Sequence, residues 1–435
     1  MSTFPKYERY KESGVEWLGE IPGHWKSEKG KWLFVKMDRP VRPEDNVVTA
    51  FRDGQVTLRT NRRTEGFTNA IKEHGYQGIR KGDLVIHAMD AFAGAIGVSE
   101  SDGKSTPVYS ACVPRKPNTV SPELYAYLLR YMAHSGFITT LAKGIRERST
   151  DFRYNDFGSL GLPFPPKPEQ DCIVAFLDLK TAEIDALIAK KQRQIELLDE
   201  QKAILINRAV TCGLNPNAKL KPSGIEWIGD IPEHWEVKNL KHVSTMIGTG
   251  RTPSSVAQAE DLPDGVHWYT PGDYQKSGFL DTSDRRAKST RSETVETFPA
   301  GSLFYIGIGA TLGRVNLSLH EAGCNQQINV IVIKCSAHSA EYMLHLLTSG
   351  REFIFSSSDF TTLPILNRSK TAALSIVAPP KDEQEAIAIF CADLILKIQA
   401  VQAKIVEHIQ SLKTLRSTLI AHAVTGRIKV TSSHA

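Results

Sequence analysis

The chain carries little that resembles a reaction centre. Its six cysteines, at 112, 172, 212, 324, 335 and 391, include no Cys-x-x-Cys pair and no histidine cluster at zinc-ligand spacing. That argues against a structural zinc or a disulfide framework and for free, mostly buried thiols in a reducing compartment. The Gly103-Lys-Ser-Thr106 stretch lacks the glycine a phosphate loop needs five residues earlier, where Val98 stands. Gly307-Ile-Gly-Ala-Thr-Leu-Gly313 lacks Gly-x-Gly-x-x-Gly spacing and suits strand bends better. No Asn-Pro-Pro-aromatic motif of an adenine methyltransferase occurs; Asn215-Pro-Asn217 reads as a linker turn. The opening MSTFPKYERYKESG has no apolar signal core, and no uninterrupted apolar run approaches the ~20 residues that span a bilayer. A soluble cytoplasmic protein without a membrane partner is expected.

Charge of either sign is also scarce in excess. The 435 residues hold 53 Lys+Arg and 48 Asp+Glu, a net of +5. Residues 1–164 hold 24 basic against 19 acidic residues, whereas 214–378 hold 15 against 16. A polyanion-binding face in the second half is therefore a local patch rather than a general excess.

What the chain does have is a copy of itself. Gly14-Val-Glu-Trp-Leu-Gly-Glu-Ile-Pro-Gly-His-Trp25 returns as Gly224-Ile-Glu-Trp-Ile-Gly-Asp-Ile-Pro-Glu-His-Trp235. Pro165-Pro-Lys-Pro-Glu-Gln170 returns as Pro379-Pro-Lys-Asp-Glu-Gln384, and Ala209-Val-Thr211 as Ala423-Val-Thr425. The duplicated unit is far longer than a solenoid repeat. Internal duplication builds pseudo-two-fold symmetry, which suits a two-fold target or two identical partners. His24 and His234 sit beside tryptophans at matched positions and are read as structural hydrogen-bonding groups.

Each copy ends in a long helical arm. From Glu383 to about Ala423 there is no Pro or Gly, and Leu394, Ile398, Val401, Ile405, Leu412, Leu415 and Leu419, with His408 and His422, alternate steps of four and three. That is a heptad seam. Pro379-Pro380 blocks helix before it, Asp382 suits the N-cap, and Gly426 suits the stop. In the first arm, from about Glu169 to Val210, Ile184, Leu187, Leu198 and Leu205 match that seam, whereas Lys180, Lys191, Gln194 and Gln201 do not. At ~1.5 Å per residue each arm is roughly 60 Å long and has an apolar stripe to bury. The favoured partner is the other arm, antiparallel; an intermolecular coiled coil in a homodimer is the alternative.

The bodies between read as mixed α/β. Strands are expected around Gly82–Ile86, Gly301–Gly309 and Ile328–Ile333, and helices over Glu123–Met132 and Ala340–Leu347. The boundaries predicted are 1–164 for the first body, 165–213 for its arm, 214–378 for the second body, and 379–435 for its arm and tail. The expected class is α+β: two mixed α/β domains joined by two long antiparallel coiled-coil helices.

The Gly-x-Glu-Trp-x-Gly-x-Ile-Pro-x-His-Trp opening, the Pro-Pro-x-x-Glu-Gln hinge and the Ala-Val-Thr-Gly ending resemble the type I restriction-modification DNA specificity subunit. The first ending has Cys212 where the second has Gly426. Trp268-Tyr-Thr-Pro-Gly-Asp273, Thr311-Leu-Gly-Arg314 and Cys324-Asn-Gln-Gln327 resemble that family's target-recognition domains, and Thr49-Ala-Phe-Arg-Asp-Gly54 stands near the place of the first of these in body one.

The resemblance implies a non-catalytic DNA reader. Each body would be a target-recognition domain for one half of a bipartite double-stranded DNA sequence, with the paired arms as a ruler that also docks two methylation subunits. Restriction subunits would join them. S-adenosylmethionine, ATP and Mg would belong to those partners, and no cofactor, metal or catalytic residue to this chain. The alternative is a duplicated scaffold for two copies of a protein partner that never touches DNA. DNA reading needs phosphate clamps and side chains that reach base edges. The candidates are Arg59, Arg62, Arg63, Lys143, Arg146, Arg148 and Arg153 in body one, and Arg251, Lys276, Arg285, Arg286, Lys288, Arg291 and Arg368 in body two.

Overall fold

A computed structural model describes residues 4–62, 74–141, 151–274, 278–290, 293–356 and 364–431. The chain forms two compact units whose boundaries fall inside the long helices. One comprises Met1–Lys191 with Val406–Ala435, the other Gln192–Ile405.

In the first unit, four antiparallel strands lie in the order Phe34–Met37, Tyr109–Pro114, Leu84–His87, Ile96–Val98. The helix Pro122–His134 opens with Pro122 in its first turn, where a missing N–H costs nothing. It buries Leu124, Tyr125, Leu128, Leu129 and Met132 in the core. In the second unit the main sheet runs Ser244–Thr249, Ile328–Ile333, Leu303–Ile306, Val315–Ser318, Phe279–Leu280. The corresponding helix, Ala340–Ser349, is capped by Ser339, whose side chain accepts from Tyr342 N. The strands and helices expected from the sequence are present, with ends a few residues shifted. All six cysteines are free, and burial pushes the Cys112 and Cys391 thiols up to about 12.

The duplicated opening makes the same construction twice. Glu20–Pro22 pairs antiparallel with Tyr10–Glu12, and Asp230–Pro232 with Leu220–Pro222. Lys26–Lys29 then pairs with Gly161–Phe164, and Glu236–Asn239 with Ser375–Ala378, in matching registers. These second pairings lay the opening against the strand that leads into the hinge. Trp25 and Trp235 are fully buried there.

The arms are the helices Lys167–Cys212 and Lys381–Val424. Asp382 lies in the first turn rather than at the cap. Within each unit the helices pair antiparallel. In the first, Arg416 Nε lies 3.1 Å from Asp185 Oδ1; in the second, Gln402 Nε2 donates to Ile195 O at 3.3 Å.

Every second position of the expected seam is displaced by one residue. The positions turned from solvent are 391, 395, 398, 402, 405, 409, 412, 416, 419 and 423, matched in the first helix by 177, 181, 184, 188, 191, 195, 198, 202, 205 and 209. Ile398, Ile405, Leu412 and Leu419 hold, but Val401, Leu415 and Leu187 are 44%, 38% and 46% exposed. Gln402, Ile409 and Arg416 occupy the places assigned to Val401, His408 and Leu415. The reason is that two seam residues are polar and bond across the pair, so hydropathy alone chose their apolar neighbours. The shift takes Lys180, Gln194 and Gln201 off the seam, keeps Lys191 on it and brings Lys202 onto it. Ile405→Ala should therefore cost about 2–3 kcal/mol in urea unfolding while Val401→Ala stays within about 0.5 kcal/mol. Equal costs would restore the original phasing.

The second long helix also departs from expectation in hydropathy. Among the described residues it is the one helix long and apolar enough to cross a membrane by length and composition. That stretch includes Asp393 and Lys397, paired at 2.6 Å. Its buried positions follow the heptad seam, and its apolar surplus faces outward, with Ile389 71%, Leu396 65% and Val406 56% exposed.

Candidate nucleic-acid interface

The hinge explains how each body is held. Glu169 and Glu383 reach back to the framework histidines, His24 at 2.8 Å and His234 at 2.6 Å. The reading of those histidines as structural hydrogen-bonding groups fits this geometry. The second carboxylate oxygen differs between copies: Glu383 Oε2 accepts from Trp235 Nε1 at 2.9 Å, whereas Glu169 accepts from the Tyr7 hydroxyl. Trp25 Nε1 is buried without a partner among the described residues. Gln170 and Gln384 are fully buried. Gln170 accepts from Ser121 N at 2.8 Å and donates to the carbonyls of Thr119 and Pro165. Gln384 accepts from Ser339 N at 3.0 Å, donates to the Pro379 carbonyl at 2.7 Å and bonds His338 Nδ1 at 3.0 Å. Each glutamine thus ties a long helix to the N-terminus of its body's core helix.

The other ends of the long helices close the frame. Gly213, at φ +77°, lies against Trp235 and Pro232, and Gly426, at φ +74°, against Trp25 and Pro22. The true counterpart of Gly426 is therefore Gly213, and Cys212 is an extra residue before it. A Cβ on Gly426 would fall 2.5 Å from Pro22 Cδ, so only glycine fits both the turn and the contact.

On the first body the Val48–Ala50 and Val56–Leu58 strands form a hairpin with the tip Phe51–Gln55; Arg52 lies on the tip, and Arg59 and Arg62 follow the second strand. Arg62 lies over the Phe51 ring at 4.3 Å and pairs with Asp53 at 2.6 Å. Arg59 Nε donates to Thr49 Oγ1 at 3.3 Å, and Arg52, which the sequence reading missed, pairs with Asp90 at 2.9 Å. Aspartates thus hold the Arg52 and Arg62 guanidinium groups and Thr49 that of Arg59, and Arg52 and Arg62 are exposed, so the two ion pairs are weak. Arg153 lies elsewhere on this body. It is 74% exposed, its Nε pairs with Asp151 at 2.5 Å, and it borders an open cleft of about 760 Å³ with Lys36, Met89, Ser110 and Asn155. Lys36 and Asn155 carried no sequence signal, because a lone lysine on a strand and a lone asparagine at a helix start look like surface. Arg63, Lys143, Arg146 and Arg148 lie outside the described residues.

The second body treats its arginines differently. Arg285 donates to Thr270 Oγ1 at 3.1 Å and lies over the Trp268 ring at 5.7 Å. Arg286 donates to the carbonyls of Pro263 and Gly265, both at 3.0 Å. Arg285 thus braces the Trp268–Asp273 stretch, where Asp273 accepts from Thr270 N at 2.7 Å, and Arg286 braces the segment before it. Arg251, Lys288 and Arg368 are exposed on separate segments. Exposed Gln326 bonds Thr252 Oγ1 at 2.9 Å, and an exposed primary amide of this kind matches an adenine edge. Lys276 and Arg291 lie outside the described residues.

Comparison with known proteins places this frame. Residues 232–410 match the family model described as type I restriction modification DNA specificity domain. The putative MjaX specificity subunit of Methanocaldococcus jannaschii is 29% identical over 150 residues, covering 34% of this chain and 33% of that one. The MjaIX specificity subunit of the same organism is 28% identical over 167 residues, 37% and 38% of the two chains. Residues 232–410 thus resemble a type I DNA specificity domain, and parts of the chain are similar to type I specificity subunits. The chain spans about a third of the length of the MjaX relative it matches. A solved structure described as the basis of complex assembly and conformational transition of the type I R-M system shares the fold at TM-score 0.70, with 15% identity and 93% of this chain and 98% of that one covered. The HsdS subunit of Thermoanaerobacter tengcongensis does so at TM-score 0.53, with 17% identity and coverage of 94% and 98%. The family model begins at Pro232; the residues before it are related to the matched part by the duplicated His–Glu and Gln connections.

Proposed function

We propose that each body of this specificity subunit reads one half of a split target in double-stranded DNA, and that the paired helices set the spacer between the halves. The observation that carries this is the contrast between a doubly built frame and two unlike exposed faces. The His–Glu pairs, buried glutamines and helix-ending glycines recur in each unit, whereas the Arg52–Arg59–Arg62 hairpin of the first body has no equivalent around Trp268–Asp273 of the second. A common frame with unlike faces suits two different half-sites; a scaffold for two copies of one protein would favour like faces.

In this reading the chain is non-catalytic and cytoplasmic. Two methylation subunits dock on the helices, where Ile389, Leu396 and Val406 offer apolar surface, and restriction subunits join them. S-adenosylmethionine, ATP and Mg act in those partners. Arg62→Ala combined with Arg63→Ala should weaken duplex binding about tenfold and lower the slope of log K against log salt by about 1–2. Unchanged affinity and slope would remove that loop from the interface, and a specificity complex that retains no duplex from random pools would favour the scaffold.

A further inference from the structure

In the first unit, the end of the Pro122–His134 helix and the last turns of Lys381–Val424 enclose a cavity of about 190 Å³ lined by Tyr127, Arg130, Tyr131, His134, Arg416 and Ser417 among others. Arg130 and His134 stand one helical turn apart, on the same face. Each lies over a glycine. A Cβ on Gly54 would fall 1.8 Å from Arg130 Nη1, and one on Gly94 2.9 Å from His134 Cε1. Both glycines have positive φ, +92° and +93°. The backbone has thus made room for two basic side chains to lie flat beside the cavity.

Among the described residues, Arg416 is the one basic group of the three, Arg130, His134 and Arg416, that has an ion pair from within, to Asp185. Half-buried Arg130 donates to the Asp53 carbonyl at 3.0 Å and lies 4.9 Å over the Tyr127 ring, and it has no carboxylate at ion-pair distance among the described residues. The nearby carboxylates are committed: Asp53 to Arg62 at 2.6 Å, Asp178 to the Tyr127 hydroxyl at 2.7 Å, Asp185 to Arg416 at 3.1 Å. Burial lowers the pKa of Arg130 and Arg416 adds to this, against Tyr127, Asp53 and Asp178, which raise it; burial, then Arg130 and Arg416, lower that of His134. A half-buried cation facing another cation is destabilising unless an anion sits between them, and Ser135 and Ser417 add hydroxyls at the walls. We infer that this cluster of Arg130, His134 and Arg416 binds a phosphate group.

The phosphate comes either from a small mobile ligand or from the DNA backbone, and only the second source rests on the DNA-reading proposal. Inorganic phosphate titrated calorimetrically into the full-length chain, against chloride at matched ionic strength, tests the first. Binding that weakens about tenfold or more in Arg130→Gln and in Arg416→Gln supports the site with a mobile ligand. No phosphate binding, but a salt slope of duplex binding that falls by about 0.9 in each variant, supports it with a backbone phosphate. Ser135→Asp, at an exposed position, places a carboxylate at the rim and should reproduce the loss if either arginine variant fails to fold. Neither effect in any variant overturns the inference. A wild-type chain that binds no duplex overturns the DNA-reading proposal instead and leaves the calorimetric result to decide this one.

Discussion

Gln384→Ala should cost the protein about 3–5 kcal/mol in urea unfolding. The side chain is fully buried and makes three bonds, to Ser339 N, the Pro379 carbonyl and His338 Nδ1. Alanine removes none of those partners from the interior, so each is left without its bond, at about 1–3 kcal/mol apiece. Gln384→Glu distinguishes lost volume from lost bonding. It fills the space and still accepts from Ser339 N, yet an ionised carboxylate cannot donate to Pro379 O and should be nearly as destabilising. Hydrogen exchange at the Ser339 amide gives a local readout, because that proton loses its acceptor in the alanine variant alone. Gln170→Ala should behave alike in the first unit, where Ser121 N, Thr119 O and Pro165 O are the stranded groups. A loss below about 1 kcal/mol in both variants would mean water replaces the amide freely, and the hinge motif would need another explanation.

The second large effect is expected at Arg80. Its guanidinium is 13% exposed and its partner Asp45 2%. Arg80 Nη1 meets both Asp45 oxygens, at 3.0 and 3.1 Å, and the carbonyls of Ile79 and Gly103. This ties together segments that no long strand connects. Arg80→Met should cost about 3–5 kcal/mol, most of it from leaving a buried carboxylate without its cation. Adding Asp45→Asn to the methionine variant should recover a good part of that loss, because the stranded charge is then gone. The double-mutant cycle, measured by chemical denaturation, is decisive. Additive losses would show that Arg80 acts through its carbonyl contacts and not through Asp45.

The frame of this protein was legible from sequence for a physical reason: it was written twice. A buried glutamine that must meet a backbone N–H, a backbone carbonyl and a third polar group, and a glutamate that must reach a histidine, leave little room for a substitute, and both copies have them at the same spacing. Phasing of the coiled coil was half legible. Ile398, Ile405, Leu412 and Leu419 follow hydropathy, but Gln402 and Arg416 enter the seam by bonding across it, and an apolar count passes over them in favour of Val401 and Leu415. The extra residue at Cys212 hid the match of Gly213 to Gly426, which only the contacts with Trp235 and Trp25 reveal. At the recognition faces the sequence could nominate arginines but not their employment. Arg62 and Arg286 read alike as letters, yet one lies over an aromatic ring at a hairpin tip while the other is spent on carbonyls 263 and 265. Lys36, Arg52 and Arg130 gain meaning only from chain segments distant in sequence.

The make-up of the first unit, Met1–Lys191 with Val406–Ala435, bears on how the protein is made. Its core around Trp25 includes Leu419, Ala423 and Val424, so the N-terminal body leaves the ribosome with an open apolar seat. At roughly 5–20 residues per second, translation supplies the missing piece only after some tens of seconds. The second unit, Gln192–Ile405, is one continuous stretch and can close first. Maturation therefore runs against the direction of synthesis, and the waiting N-terminal half is the part most in need of a chaperone.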